Sequence, residues 1–229
     1  MDVYSMSAAE LALYFDHTNL KAFADDAAFR KLCGEAKEYG FKMVAINSTQ
    51  TALCKELLKG TPVHVGAAIS FPLGQTTIPV KVFETKDALQ NGADEIDYVV
   101  NLSQLKNGNW AYVQEEMESI VAACREAGAT SKVIFENCYL EKGEIEQLAR
   151  VALQVRPDFI KTSTGFGTGG ATVDDVKRMK QVVGDAVKVK AAGGIRTLAA
   201  CREMILAGAE RIGTSAGVAI IKELLAEQA

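Results

Sequence analysis

The run "DFIKTSTGFGTGGAT", Asp158 to Thr172, places Lys161 inside a short apolar segment, directly ahead of small hydroxyl and glycine residues. A lysine in a buried strand must be paired, neutralised or used, because an unpaired ammonium away from water is costly. A second lysine, Lys190, stands in "VKVKAAGG", and a carboxylate, Asp97, in "EIDYVVN". Side chains alternate along a strand, so Lys161 and Ser163 share one face, opposite Ile160 and Thr162. By the same rule Lys188 and Lys190 lie opposite Val187 and Val189. Asp97 lies with Glu95 and Asn101, opposite Ile96, Tyr98 and Val100. With the apolar sets covered by helices, Lys161, Lys190 and Asp97 turn toward one interior.

Two ammonium groups against one carboxylate leave a cation over. Burial and like-charge repulsion would relieve that excess by lowering one lysine's pKa. A neutral amine at neutral pH is what Schiff-base chemistry on a carbonyl substrate needs. A structural ion-pair network filling the interior is the plainer alternative. Lys188, earlier in its segment, reads as structural.

The elements that would position these groups alternate from end to end. Strand signals fall at 12–18, 43–47, 64–70, 95–101, 132–138, 159–164, 187–192 and 211–215. Helical patterns fit 48–59, 78–91, 109–127, 143–154, 197–207 and 215–227, with two clearer cases. One is "DDAAFRKLCGEAKEYG", with Asp25 as cap and Gly40 as stop. The other is "TVDDVKRMKQVVG", with Thr172 as cap, acids in the first turn and Gly184 at the end. Strict strand–helix alternation implies a parallel sheet buried on both faces. Eight repeats favour a closed (β/α)₈ barrel over an open doubly wound sheet, as a single domain spanning 1–229.

Bulk composition narrows the function classes. The 229 residues carry a formal charge of −4 without a basic block, which argues against nucleic acid or an anionic membrane as partner. No segment approaches the roughly 18 apolar residues of a membrane span. The start "MDVYSMSAAELALYFDHT" lacks the basic region of a signal peptide. Five scattered cysteines without a C-x-x-C pair suit reduced thiols in the cytoplasm. Cys138 reads as a small buried hydrophobe near the mouth of the fifth strand, and Trp110, Met117 and Ile120 as one core-facing stripe. His17 and His64, with no close acidic or cysteine partners in the chain, make no metal site, so no metal and no cofactor are expected.

Glycine clusters complete the constellation. "AAGGIRT", 191–197, and "RIGTSAG", 211–217, follow the seventh and eighth strands, where barrels often hold a phosphate on backbone N–H groups and a helix N-terminus. Together they point to a phosphorylated small molecule.

The motifs "DHTNLK", "ISFPLG", "EIDYVVN", "FIKTSTGF", "VKAAGGIR" and "GAERIGTS" resemble, in this order, the deoxyribose-phosphate aldolase family of class I aldolases. The resemblance runs from about Asp16 to Ser215. It implies a (β/α)₈ barrel cleaving the sugar phosphate 2-deoxy-D-ribose 5-phosphate to D-glyceraldehyde 3-phosphate and acetaldehyde. It also implies that Lys161 forms the Schiff base, that Lys190 is its cationic neighbour, and that Asp97 relays protons. Asp16 matches an aspartate that helps handle substrate hydroxyls and catalysis. Gly165, Gly193, Gly194, Arg196, Gly213 and Ser215 match the loops around the phosphate, with Thr164 as a further substrate contact.

Three positions depart from the family pattern. Ala45 in "VAINS" replaces a frequent cysteine that the Schiff-base route does not require, and Ala216 replaces a frequent second serine of the last phosphate loop. The ending "ELLAEQA" offers no tyrosine to the site. Oligomeric state stays open, a homodimer or homotetramer included. A metal-assisted aldolase or isomerase, and a phosphate-binding barrel without chemistry, are the rival functions.

Overall fold

The computed structural model describes residues 3–229. Eight parallel strands close into a barrel in sequence order, the last pairing with the first. They are β1 (Phe15–Asn19), β2 (Met43–Asn47), β3 (His64–Ile69), β4 (Glu95–Val99), β5 (Thr130–Ile134), β6 (Phe159–Lys161), β7 (Lys188–Ala192) and β8 (Arg211–Thr214). The helices are α1 (Ala8–Ala12), α2 (Asp26–Tyr39), α3 (Thr51–Leu57), α4 (Ile78–Gln90), α5 (Leu102–Lys106), α6 (Trp110–Glu126), α7 (Lys142–Val155), α8 (Val173–Val183), α9 (Leu198–Leu206) and α10 (Gly217–Glu227). The (β/α)₈ architecture expected from the sequence is the one observed. No helix among the described residues is long and apolar enough to cross a membrane.

The main apolar core lies between barrel and helices. Val44, Ile96, Tyr98, Val133, Val189 and Ile212, alternating with the inward set, are fully buried there. Each such aliphatic side chain contributes about 1.5–3 kcal/mol relative to exposure. Met117 and Ile120 join this layer, while Trp110 is only half-buried against it. Local signals set the helix ends. Asp25 caps α2 by accepting the Ala28 N–H at 3.0 Å, and Gly40 closes it in the left-handed region, φ 69°. Thr172 caps α8 by accepting the Asp175 N–H at 3.1 Å.

Three strands and one added helix differ notably from expectation. Strand β1 starts at Phe15 because a reciprocal Ser7–Glu10 capping box turns the preceding residues into α1. Helix α5, unforeseen, is held by Asn101, whose side chain accepts the Gln104 N–H at 3.1 Å. Strand β5 runs from Thr130 and ends before Glu136, which takes a left-handed conformation, φ 56° and ψ 59°. Strand β6 is short, and Thr162 continues it through a bond from its N–H to Lys190 O at 3.1 Å.

A buried ion pair outside the barrel fixes the end of β4. Lys81 Nζ lies 2.6 Å from Glu116 Oε1 and donates to Val99 O at 2.6 Å, while Glu116 Oε2 accepts the Asn101 N–H at 2.9 Å. The strand that carries Asp97 is thereby tied to both α4 and α6.

Candidate active site

The barrel interior is charged rather than apolar. Strand β1 contributes Asp16, β4 contributes Glu95 and Asp97, β5 contributes Lys132, β6 contributes Lys161, β7 contributes Lys190 and β8 contributes Arg211; all are buried. The register sets Asp97 beside Lys132, Lys161 beside Lys190, and Lys190 beside Arg211. Asp97 stands at the centre. Its Oδ2 accepts from Lys161 Nζ at 2.8 Å and from Lys190 Nζ at 2.6 Å, and its Oδ1 accepts from Lys132 Nζ at 2.7 Å. Below it, Lys132 also pairs with Glu95, and Arg211 Nη2 reaches Glu95 Oε2 at 2.9 Å. Asp16 lies between Arg211, at 2.6 Å, and Lys190, at 2.5 Å.

Four permanent or potential cations therefore face three carboxylates, Asp16, Glu95 and Asp97. The expected excess of one cation holds, though in a larger cluster than the two lysines and one carboxylate anticipated. Such a cluster is stable only where every member is paired and hydrogen-bonded. The excess falls on Lys161, whose pKa is pushed down to about 8. Burial is the main cause, and Lys190 and Lys132 add to it against the opposing pull of Asp97. Lys132 goes the other way: burial opposes its charge, but Asp97, Glu95 and Asp16 outweigh that and raise it. Asp97 is held well below the usual carboxylate range, since Lys132, Lys161 and Lys190 together overcome its burial.

Lys161 forms the floor of a cavity of about 280 Å³ at the C-terminal end of the barrel. Thr164 and Gly165 after β6, Gly193, Gly194 and Arg196 after β7, and Gly213 and Ser215 at and after β8 line the same cavity. The β6 and β7 loops meet backbone to backbone, for a Cβ on Gly170 would stand 2.3 Å from Gly193 O. The N–H groups of Gly165, Gly194 and Ser215 find no acceptor among the described residues, which leaves them available to an anion. The start of α10 lies just beyond Ser215.

The substrate-binding candidates named from sequence all converge on this cavity together with Lys161. Asp97, Lys190 and Asp16 sit beneath it rather than in its lining, and the Asp16 carboxylate is taken up by Arg211 and Lys190. Lys188 is exposed at the opposite end of its strand, its Nζ 5.6 Å from the Phe159 ring centroid. Each histidine has one acidic partner distant in sequence: His17 Nε2 lies 2.8 Å from Glu35 and His64 Nδ1 2.7 Å from Glu95. Chain folding, not sequence proximity, brings these partners in. Among the described residues no three His, Cys, Asp or Glu side chains gather as metal ligands would. Cys138 is half-buried, its Sγ 4.0 Å from Glu136. Sequence reasoning missed Lys132 and Arg211 in the cluster and Lys21 in the cavity wall. The inward parity of Lys132 and Arg211 was the available signal; Lys21 offered none.

This fold and site define a (β/α)₈ barrel enzyme with a buried amine of lowered pKa beneath a cavity suited to an anion. Residues 10–223 match the model of the DeoC/LacD family aldolases. The chain is 59% identical over 215 residues to the deoxyribose-phosphate aldolase of Lactobacillus acidophilus, covering 94% of this chain and 91% of that one. It is 49% identical to the Bacteroides thetaiotaomicron deoxyribose-phosphate aldolase, covering 96% and 92%. Among solved structures, the tetrameric deoxyribose phosphate aldolase of Aeropyrum pernix superposes with a TM-score of 0.89 at 31% identity, covering 96% of this chain and 93% of that one. The chain belongs to the DeoC/LacD aldolase family.

Proposed function

We propose that this enzyme is a class I aldolase that reversibly cleaves 2-deoxy-D-ribose 5-phosphate to D-glyceraldehyde 3-phosphate and acetaldehyde. The observation that carries this reading is Lys161, whose amine is left short of a counter-charge at the floor of the cavity. A barrel that only bound phosphate would need the glycine loops but not that amine.

The geometry supports the following chemistry. The neutral amine of Lys161 attacks the aldehyde carbon, and loss of water gives an imine, protonated to an iminium. The hydroxyl on the third carbon gives up its proton and the bond between the second and third carbons breaks. Its electron pair moves into the iminium, forming an enamine, while the third carbon becomes the aldehyde of glyceraldehyde 3-phosphate. Protonation of the enamine carbon and hydrolysis release acetaldehyde and restore Lys161. The Asp97–Lys190 pair is the proposed proton relay. Asp97 alone is a weak base, because three cations hold its proton affinity down. Its Oδ2 instead links the two amines, so a proton leaving one side can be matched on the other.

The phosphate is proposed to sit on the free N–H groups of Gly165, Gly194 and Ser215, with Arg196 at the rim. Asp16 would act through Lys190, keeping that amine in place, rather than by touching substrate. A homo-oligomer, such as the tetramer of the Aeropyrum pernix relative, and a cytoplasmic site of action complete the proposal. Incubation with acetaldehyde and borohydride followed by peptide mass mapping tests it. The expected result is one reduced ethyl adduct, on Lys161, in a protein that also converts 2-deoxyribose 5-phosphate. No adduct on any lysine would reject the Schiff-base reading.

A further inference from the structure

Glu136 is the least expected residue at the mouth of the barrel. It is a non-glycine residue in the left-handed region, φ 56° and ψ 59°, and it is buried. Such conformations persist only where the surroundings over-determine them, and they cluster at functional sites. Here the surroundings are known. Its neighbours are both tied to the end of β6, Phe135 N–H to Lys161 O at 2.9 Å and Asn137 N–H to Thr162 O at 2.9 Å. Between these two bonds the backbone turns and aims the carboxylate at the segment after β6.

Both carboxylate oxygens are used there. Oε1 accepts the Thr164 N–H at 3.1 Å, and Oε2 accepts the Thr164 hydroxyl in a short bond. The same hydroxyl oxygen accepts the Phe166 N–H at 3.0 Å. Gly167 then passes so close that a Cβ would stand 2.6 Å from Cys138 Sγ and 3.3 Å from the Glu136 carboxyl carbon. The turn 164–167 is thus wrapped around one buried carboxylate. Its donors to that carboxylate and hydroxyl leave the Gly165 N–H as the one backbone donor of residues 164–166 without an acceptor. Gly165 lines the cavity; Glu136 does not.

Lys161 is held by backbone bonds and not by the Glu136 carboxylate. Strand pairing fixes its backbone, and Thr162 bridges to β7 through Ala192 N–H at 3.1 Å and Ala192 O at 3.2 Å. The Glu136 side chain therefore supports the turn and not the nucleophile, three residues apart.

We infer that Glu136 is a positioning residue for phosphate recognition: its carboxylate holds Thr164 and Phe166 so that the Gly165 N–H faces the substrate phosphate. This rests on the phosphate site proposed above. Glu136 touches no reacting atom, so its loss should appear in the KM for the phosphorylated sugar and not in imine formation. A glutamine can accept only one of the two Thr164 donors, and its amide group opposes the other.

The test compares wild type, Glu136→Gln, Thr164→Val and Thr164→Ser on 2-deoxyribose 5-phosphate and on 2-deoxyribose. Loss of a hydrogen bond to a charged group predicts a rise in KM of about tenfold for the phosphorylated sugar in Glu136→Gln and Thr164→Val. In Glu136→Gln, activity on the free sugar and borohydride labelling of Lys161 with acetaldehyde should stay within about twofold, and Thr164→Ser, which keeps the hydroxyl, should recover most of the KM lost in Thr164→Val. Thr164→Val attacks the same bond from its other end, should Glu136→Gln fail to fold. A wild-type preference for the phosphorylated sugar that survives in a folded Glu136→Gln or Thr164→Val overturns the inference alone. Equal losses on both sugars overturn it too, by showing a general structural role. A wild type that handles both sugars equally removes the phosphate reading itself, and this inference with it.

Discussion

Asp97 Oδ2 lies 2.8 Å from Lys161 Nζ, and among the described residues it is the only carboxylate oxygen paired with Lys161. That oxygen is shared with Lys190 at 2.6 Å, so Lys161 holds half of a counter-charge in a fully buried place. The geometry explains why this amine, of the three lysines in the cluster, is the one poised to lose its proton. Lys161→Arg keeps the charge and reaches the same oxygen, but a guanidinium stays protonated at any working pH. It should fold, show no adduct with acetaldehyde and borohydride, and lose turnover entirely. An adduct at one site in this variant would make Lys190 the nucleophile.

The pH profile should report the same amine. With Lys161 pushed down to about 8, the rate of imine formation should climb through that pH and level off above it. Lys190→Leu removes one cation and leaves three against three carboxylates, so Lys161 becomes a needed counter-charge and keeps its proton. Its midpoint should move up, and each unit of upward shift costs about tenfold in the neutral fraction at neutral pH. The measurement is labelling rate against pH in both proteins. An unmoved midpoint would separate the two lysines.

Stability should respond in opposite senses to two of the lysines. Lys161 has a folded pKa below the ordinary lysine value, so below about pH 8 both states carry the proton and the folded state bears the full cost of burying it. That cost is relieved as pH rises from about 8 toward the unfolded value of 10.5. Lys161→Met should therefore raise stability at pH 7, by an amount that shrinks by pH 10, while abolishing activity. Lys132 has a raised folded pKa, so its contribution is stabilising, fully present below the unfolded lysine value and lost only at still higher pH. Lys132→Met strips Glu95 and Asp97 of a shared partner and should cost about 3–5 kcal/mol. Urea denaturation of both variants at pH 7 and pH 10 decides the signs.

Much of this was legible in the sequence, and the reason for the rest is visible in particular residues. Alternation turned Lys161, Lys190 and Asp97 to one interior, and strand β2 spans Met43–Asn47 as expected. Lys132 was overlooked because the fifth strand was expected to begin there, where a lysine looks like a solvated strand end. The strand in fact starts at Thr130 and sets Lys132 opposite Asp97. Arg211, likewise at the first position of its strand, reaches Asp16 only because the barrel closes β8 onto β1. Helix α5 rests on a side-chain bond accepted by Asn101, and the turn at Glu136 on two bonds from Thr164 to its carboxylate, which no periodic pattern announces.

The phosphate reading makes a prediction that Lys161 chemistry does not. Arg196 is exposed at the cavity rim, while Gly165, Gly194 and Ser215, whose N–H groups have no acceptor among the described residues, line its wall. A guanidinium at that rim adds charge-assisted bonds to a dianion but contributes nothing to a free sugar. Arg196→Ala should raise the KM for 2-deoxyribose 5-phosphate about tenfold, leave kcat near wild type, and leave the reaction of unphosphorylated 2-deoxyribose unchanged. Because the side chain is exposed, its contribution should fade as salt rises. The wild-type KM for the phosphorylated sugar should climb between low and high ionic strength, and the Arg196→Ala KM should climb less. Parallel salt curves for the two proteins would mean that Arg196 points away from the phosphate and that the backbone N–H groups bind it alone.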